Sequence, residues 1–219
     1  MPTIHPATLP FLREVQEHNS RKYFETVKPL YQEILISVQD FAKAIIQQLD
    51  IRNEQGALVD IKDCMFRIYR DARRLKEWDP IYKNNFWFVL SPRGKKDTNA
   101  GYYVHLEPGH CMFAWGIYRP RPDDLLKLRQ KLSTRGDEYL KLTHNKEFIW
   151  RFGRVSGTTS TNLPRGFAKD IAYPELVRMK QHLIYHAYKD EDITKPDFFD
   201  RILDDCRIAK PFFDRMNDI

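Results

Sequence analysis

Gly101-Tyr102-Tyr103-Val104-His105-Leu106, then Glu107-Pro108-Gly109-His110, then Cys111-Met112-Phe113-Ala114-Trp115 is the stretch whose reading decides the fold. Two runs rich in aromatic and β-branched residues flank a Pro-Gly pair. That pair suits the central positions of a type II turn, where proline presets the first φ and glycine accepts the positive second one. The stretch reads as a β-hairpin. Upstream, Phe86-Trp87-Phe88-Val89-Leu90 also has strand composition, and residues 91–100 form a polar loop containing Pro and Gly. Three antiparallel strands are expected here.

Helical periods surround this centre. Thr8-Leu9-Pro10 ahead of Phe11 reads as a helix start with Thr8 as N-cap, and Asn19-Ser20 restarts a helix. Phe24, Lys28 and Tyr31 share a face, Pro29 interrupts, and Ile34, Val38, Phe41, Ile45 and Leu49 make a 3.6-period stripe. After the hairpin, helices are predicted over residues 122–133, 137–142, 146–152, 174–180 and 196–207, the last extending or kinking past Pro211. Residues 183–188 read as a strand and 155–162 as a loop rich in Gly, Ser and Thr. The predicted class is α+β, a central mainly antiparallel sheet packed with N- and C-terminal helices. No repeat or linker divides the chain, so residues 1–219 are expected to form a single domain.

Of 219 residues, 42% are hydrophobic and 30% charged, which supplies one core and argues against disorder. No run approaches the roughly 18–20 apolar residues of a spanning helix. Met1-Pro2-Thr3-Ile4-His5 lacks a basic-then-apolar pattern, so a secretory signal is not expected. Cys64, Cys111 and Cys206 are far apart with no C-x-x-C pair, which points to reduced, buried thiols and a cytoplasmic location. The net charge of +6 permits an acidic partner without demanding one. Basic residues cluster at Arg67, Arg70, Arg73, Arg74 and Lys76, at Arg93, Lys95 and Lys96, and at Lys127, Arg129 and Lys131. The last two clusters read as solvated faces.

The most site-like stretch is residues 66–83. Met65, Ile68, Ala72 and Leu75 make a stripe if residues 64–72 are helical, and alternation fits a strand, so the period leaves both open. Arg67 and Asp71, four apart, share a face either way, and a carboxylate holding one side of a guanidinium leaves its other donors for an anion. Asp79-Pro80-Ile81-Tyr82-Lys83 adds a phenol and an ammonium on a loop.

Phe66-Arg67-Ile68-Tyr69-Arg70-Asp71-Ala72-Arg73, followed by Pro80 and Tyr82-Lys83, resembles the signature of the domain of unknown function 2461 family. Asn19-Ser20-Arg21-Lys22-Tyr23-Phe24 with Lys28 and Tyr31, Ala100 through Gly109, Pro164-Arg165-Gly166-Phe167 and Lys210-Pro211 resemble its other blocks, over about residues 9–217. The family pattern after the arginine is Arg-Phe-Ser-Lys-Asp-Lys-Thr-Pro-Tyr-Lys. This chain reads Arg73-Arg74-Leu75-Lys76-Glu77-Trp78-Asp79-Pro80-Ile81-Tyr82-Lys83, with one extra residue between proline and tyrosine. The resemblance implies an α+β domain of a cytosolic protein and brings no activity with it.

The candidate ligand-binding residues are therefore Arg67, Arg70, Asp71, Arg73, Tyr82 and Lys83, for an anionic small molecule. His105 and Glu107 are candidate catalytic groups, on the condition that they reach the ligand. With His110 they crowd one hairpin, yet no third or fourth convergent ligand follows from the spacing, so neither a metal nor a cofactor is expected. His182 and His186 are four apart on a strand-like segment, which is not an H-E-x-x-H helix, and residues 156–162 lack a phosphate-loop pattern. Trp78, Trp87, Trp115 and Trp150 read as core. Two other readings stand beside anion binding: a structural or protein-interaction domain without catalysis, and a nucleic-acid-associated module suggested by the charge and interleaved aromatics.

Overall fold

The structure, a computed structural model, describes residues 2–97 and 100–217. Of the polar loop expected over residues 91–100, positions 98 and 99 lie outside that description, as does Met1 of the opening segment. The helices are α1 (Thr8–Glu17), α2 (Arg21–Gln48), α3 (Ile61–Cys64), α4 (Pro122–Thr143), α5 (Lys146–Phe152), α6 (Pro174–Arg178) and α7 (Phe198–Asn217). The strands β1 (Phe86–Leu90), β2 (Gly101–Leu106), β3 (Cys111–Ile117) and β4 (His182–Tyr188) form one antiparallel sheet in the order β1-β2-β3-β4. The class is α+β, with helices at both ends of the chain. Among the described residues no helix is long and apolar enough to cross a membrane.

The hairpin forms as its turn chemistry dictates. His110 N–H donates to the Glu107 carbonyl at 2.9 Å, and Gly109 has φ +77°. That dihedral is open to glycine and strained for residues with a Cβ. Burial alternates along β1 and β3, so each has one face in the core and one half-exposed.

Local details modify the helix expectations. Ser20 caps α2, its hydroxyl accepting from Tyr23 N–H at 3.2 Å. Thr8 lies inside α1, whose cap position is Ala7, and the Thr8 hydroxyl donates instead to the His5 carbonyl. α2 runs through Pro29. The two helices expected over residues 122–142 are one element, α4, bent at Arg135 (φ −124°, ψ 29°).

The chain divides into two compact units. The first comprises Met1–Lys96, Tyr103–Phe113 and Ala187–Leu203. Its core takes the α2 stripe (Ile34, Val38, Phe41, Ile45), the inward faces of β1 and the hairpin (Phe86, Phe88, Leu90, Val104, Leu106, Phe113) and Phe198 stacked on Phe41. The second comprises Asp97–Tyr102, Ala114–His186 and Asp204–Ile219. Its core centres on Phe212 of α7, which packs edge-on to Trp115, Tyr139 and Phe148. Asp205, fully buried there, faces Arg151 at 3.1 Å and His186 at 2.9 Å. His182 and His186 thus serve different partners, His182 pairing with the Tyr139 hydroxyl. Ser156 of the Gly/Ser/Thr-rich segment exchanges backbone hydrogen bonds with Leu183, so that backbone is committed to the β4 edge. Of the four tryptophans Trp115 is core, Trp87 is half-buried, and Trp78 and Trp150 are 78% and 80% exposed.

Candidate functional site

Residues 65–70 are neither a helix nor a full strand. They run extended beside the chain that leads into β1, joined to it by bridges Met65–Phe88 and Tyr69–Tyr82. Phe66 N–H donates to the Trp87 carbonyl, Arg70 N–H to the Ile81 carbonyl, and Lys83 N–H to the Ile68 carbonyl. A 3-10 turn, Ala72–Arg74, follows, and Asp79 closes the next bend by accepting from Lys76 N–H at 2.9 Å.

This arm and its return form one wall of an open cleft of about 910 Å³. Its polar lining is Arg67, Arg70, Arg74, Lys83, Lys95, Asp71 and Asp79, and its apolar lining Phe66, Tyr69, Leu75 and Pro80. None of the Arg67, Arg70 and Arg74 guanidinium groups has a hydrogen-bond or ion-pair partner among the described residues.

The two ammonium groups are held from below. Lys83 Nζ donates to the Arg67 carbonyl at 2.8 Å and lies 5.6 Å from the centroids of both Phe66 and Trp87. Those rings are stacked on each other at 3.4 Å. Lys95 Nζ donates to the Lys62 and Met65 carbonyls, closing the C-terminal end of α3, and lies 6.0 Å from the Phe66 ring. Burial, and then the positive charge of Arg70, push the Lys83 ammonium below its ordinary pKa. The cleft therefore carries an excess of positive charge, five cations against Asp71 and Asp79.

The expected Arg67–Asp71 pair does not form. Asp71 holds Arg73 instead, through Nε at 3.0 Å and Nη2 at 2.8 Å, and this hydrogen bonding lowers the Asp71 pKa. The reason is that Asp71 caps the 3-10 turn, its carboxylate accepting from Arg73 N–H at 3.2 Å and so facing the Arg73 side chain, where a regular strand or helix would have paired residues four apart. Arg73, its side chain 88% exposed, lines no part of the cleft. Tyr82 is also turned away. It is 4% exposed and stacks on Phe24 at 4.0 Å, with Asn19 bonded to both its N–H and its carbonyl. Of the six predicted ligand-binding residues, the cleft gathers Arg67, Arg70, Asp71 and Lys83, and leaves out Arg73 and Tyr82.

Arg74 and Lys95 join the cleft without having been singled out. Arg74 was legible as one of a basic run. Lys95 belonged to a run read as a solvated face, and a turn 30 residues beyond Met65 delivers it to the cleft instead. That turn depends on Gly94, which has φ +56° and whose added Cβ would sit 2.4 Å from the Asp63 carbonyl oxygen. Gly94→Ala is expected to cost about 2–3 kcal/mol, from positive-φ strain and overpacking. Urea unfolding monitored by tryptophan fluorescence measures it.

His105 and Glu107 do not line the cleft. They lie on the half-buried face of β2 and just beyond its end, and Asn84 Nδ2 donates to Glu107 at 2.8 Å. Among the described residues no group of three His, Cys, Asp or Glu is placed to hold a metal ion. The sequence profile described as "Conserved hypothetical protein (DUF2461)" matches residues 7–214. The chain belongs to this family. No curated protein and no solved structure matches it. Two of the blocks quoted from the sequence fall at the cleft: Phe66 to Arg73 forms its arm, and Asn19 with Phe24 holds Tyr82 from behind, whereas Pro164 to Phe167 and Lys210-Pro211 line no part of it.

Proposed function

We propose that the cleft binds an anionic small molecule, gripped by Arg67, Arg70 and Arg74 over a floor carrying Lys83 and Lys95. The observation that carries this reading is three guanidinium groups lining one cleft without a hydrogen bond or ion pair among the described residues, Asp71 acting on Arg74 only through its field. Unpaired like charges repel, so converging them costs free energy that an anion would recover. Planar guanidinium forks suit carboxylate or phosphate oxygens. Five cations line the cleft against two carboxylates, one of them already held by Arg73, which supports a ligand with more than one negative charge. Phe66, Tyr69, Leu75 and Pro80 offer an apolar wall beside the charge.

Pyrophosphate is the probe. Calorimetric titration at low salt is expected to give saturable binding that weakens steeply as salt is added. Arg67→Ala with Arg70→Ala removes two charge-assisted contacts worth about 1.5–3 kcal/mol each. The double variant should bind at least about 100-fold more weakly while its unfolding midpoint does not fall, both side chains being exposed and mutually repelling. Equal binding by the double variant, or none by the parent chain, overturns the assignment.

A further inference from the structure

Alternate side chains on β2 and just past its end form a hydrogen-bonded chain outside the basic cleft. The Tyr103 hydroxyl lies 2.7 Å from His105 Nδ1, and His105 Nε2 lies 2.6 Å from Glu107 Oε2. Asn84 Nδ2 donates to the other Glu107 oxygen at 2.8 Å and is itself tied to Gln16 on α1. The His105 and Glu107 side chains are only 13% and 24% exposed. Trp87, edge-on at 5.4 Å, walls the Tyr103 ring.

The proton positions follow from the partners. Burial pushes the Glu107 pKa up, but hydrogen bonds from His105 and Asn84 outweigh it and leave it lowered, with His110 adding a smaller electrostatic pull. An ionised carboxylate can only accept, so the shared proton sits on His105 Nε2. In the neutral tautomer that leaves Nδ1 unprotonated, the Tyr103 hydroxyl donates to it. That is the arrangement of a nucleophile, its base and the carboxylate that orients the base, with a phenol in the nucleophile's place.

We propose that Tyr103 is an activated nucleophile, with His105 as its proton acceptor and Glu107 as the positioning residue, and that the site takes an electrophilic acyl-type centre. In the step, the Tyr103 oxygen bonds to the electrophilic atom, its proton passes to His105 Nδ1, and the leaving group departs with the bonding electron pair and takes that proton. This goes beyond ligand binding in the cleft and does not depend on it.

Benzenesulfonyl fluoride tests the step on the full chain, because the new O–S bond is stable while S–F breaks and fluoride leaves. Intact mass and peptide mapping locate the adduct. Tyr103 is expected to react at least about tenfold faster than Tyr118, which is 58% exposed and has no relay behind it. His105→Gln should remove at least about tenfold of the Tyr103 rate, and Glu107→Gln should lower it less. Tyr102, 4% exposed, reports folding by staying unlabelled in each variant. Tyr103 labelling no faster than Tyr118, or equal in parent and His105→Gln, overturns the proposal, since a purely structural network predicts that result.

Discussion

Phe24→Ala is expected to lower the unfolding free energy by about 3–5 kcal/mol, the usual cost of emptying an aromatic core position. Phe24 is 1% exposed on α2 and lies flat against Tyr82, 9° from parallel. Tyr31 and Tyr69 pack on it at 5.2 and 5.6 Å, so its ring supports both sides of the Tyr69–Tyr82 bridge. The cavity would open directly behind the arm that carries Arg67 and Arg70. Pyrophosphate affinity should therefore fall in a variant that is still folded, although Phe24 touches no ligand. Urea unfolding measures the first effect and calorimetry below the transition the second. Phe24→Leu, which keeps most of the volume, should lie between parent and alanine in both.

The second large effect is on acid stability. His182 is fully buried on β4, with the Tyr139 hydroxyl on Nδ1. Burial, and then the Arg129 charge, push its pKa from 6.5 to about 3. The unfolded chain thus binds a proton that the folded chain refuses. The stability this residue supplies is fully present above about pH 6.5 and is lost as pH falls from there toward about 3, at up to about 1.4 kcal/mol per pH unit. Between about pH 7.5 and 4.5 the loss should reach about 2–3 kcal/mol. Asp192 beside Arg201 and Lys195, lowered from 3.8, acts almost wholly below this window. Glu107, lowered from 4.5, adds at most about 0.4 kcal/mol at its acid end, where Glu138, lowered from the same value, also begins to act. Urea unfolding at the two pH values measures it. The paired change His182→Phe with Tyr139→Phe removes both polar partners and should flatten the dependence.

Much of the fold was legible because its signals are local. The Pro108-Gly109 turn, the helix restart at Ser20 and the stripe from Ile34 to Ile45 each depend on nearby residues and form as read, while Leu49, read as the end of the stripe, is the half-buried C-cap of α2. The cleft was legible only as a basic stretch. Residues 65–70 owe their extended form to partners at residues 81–88, so no local period could decide between helix and strand. The Arg67–Asp71 pair assumed a regular element, and one 3-10 turn moved the carboxylate to Arg73. Tyr82 carries a polar group, which marked it for the ligand, yet its ring faces Phe24. At the hairpin, attention fell on the His and Glu residues. Tyr103 completes their chain, and its alternation with His105 and Glu107 was the signal available.

The two bridges that hold the arm enclose unequal lengths of chain: residues 65 to 69 on one side answer residues 82 to 88 on the other. The surplus is two residues, an even number. An odd surplus would turn every later side chain to the opposite face, whereas an even one returns the strand to its pattern. β1 accordingly begins at Phe86 with its alternation intact, and Lys83 and Asn84 are spent on the cleft and on Glu107. Ile81 lies just beyond the outer bridge, its carbonyl accepting from Arg70 N–H at 3.0 Å. A residue inserted beyond the outer bridge is absorbed by the loop without resetting the sheet.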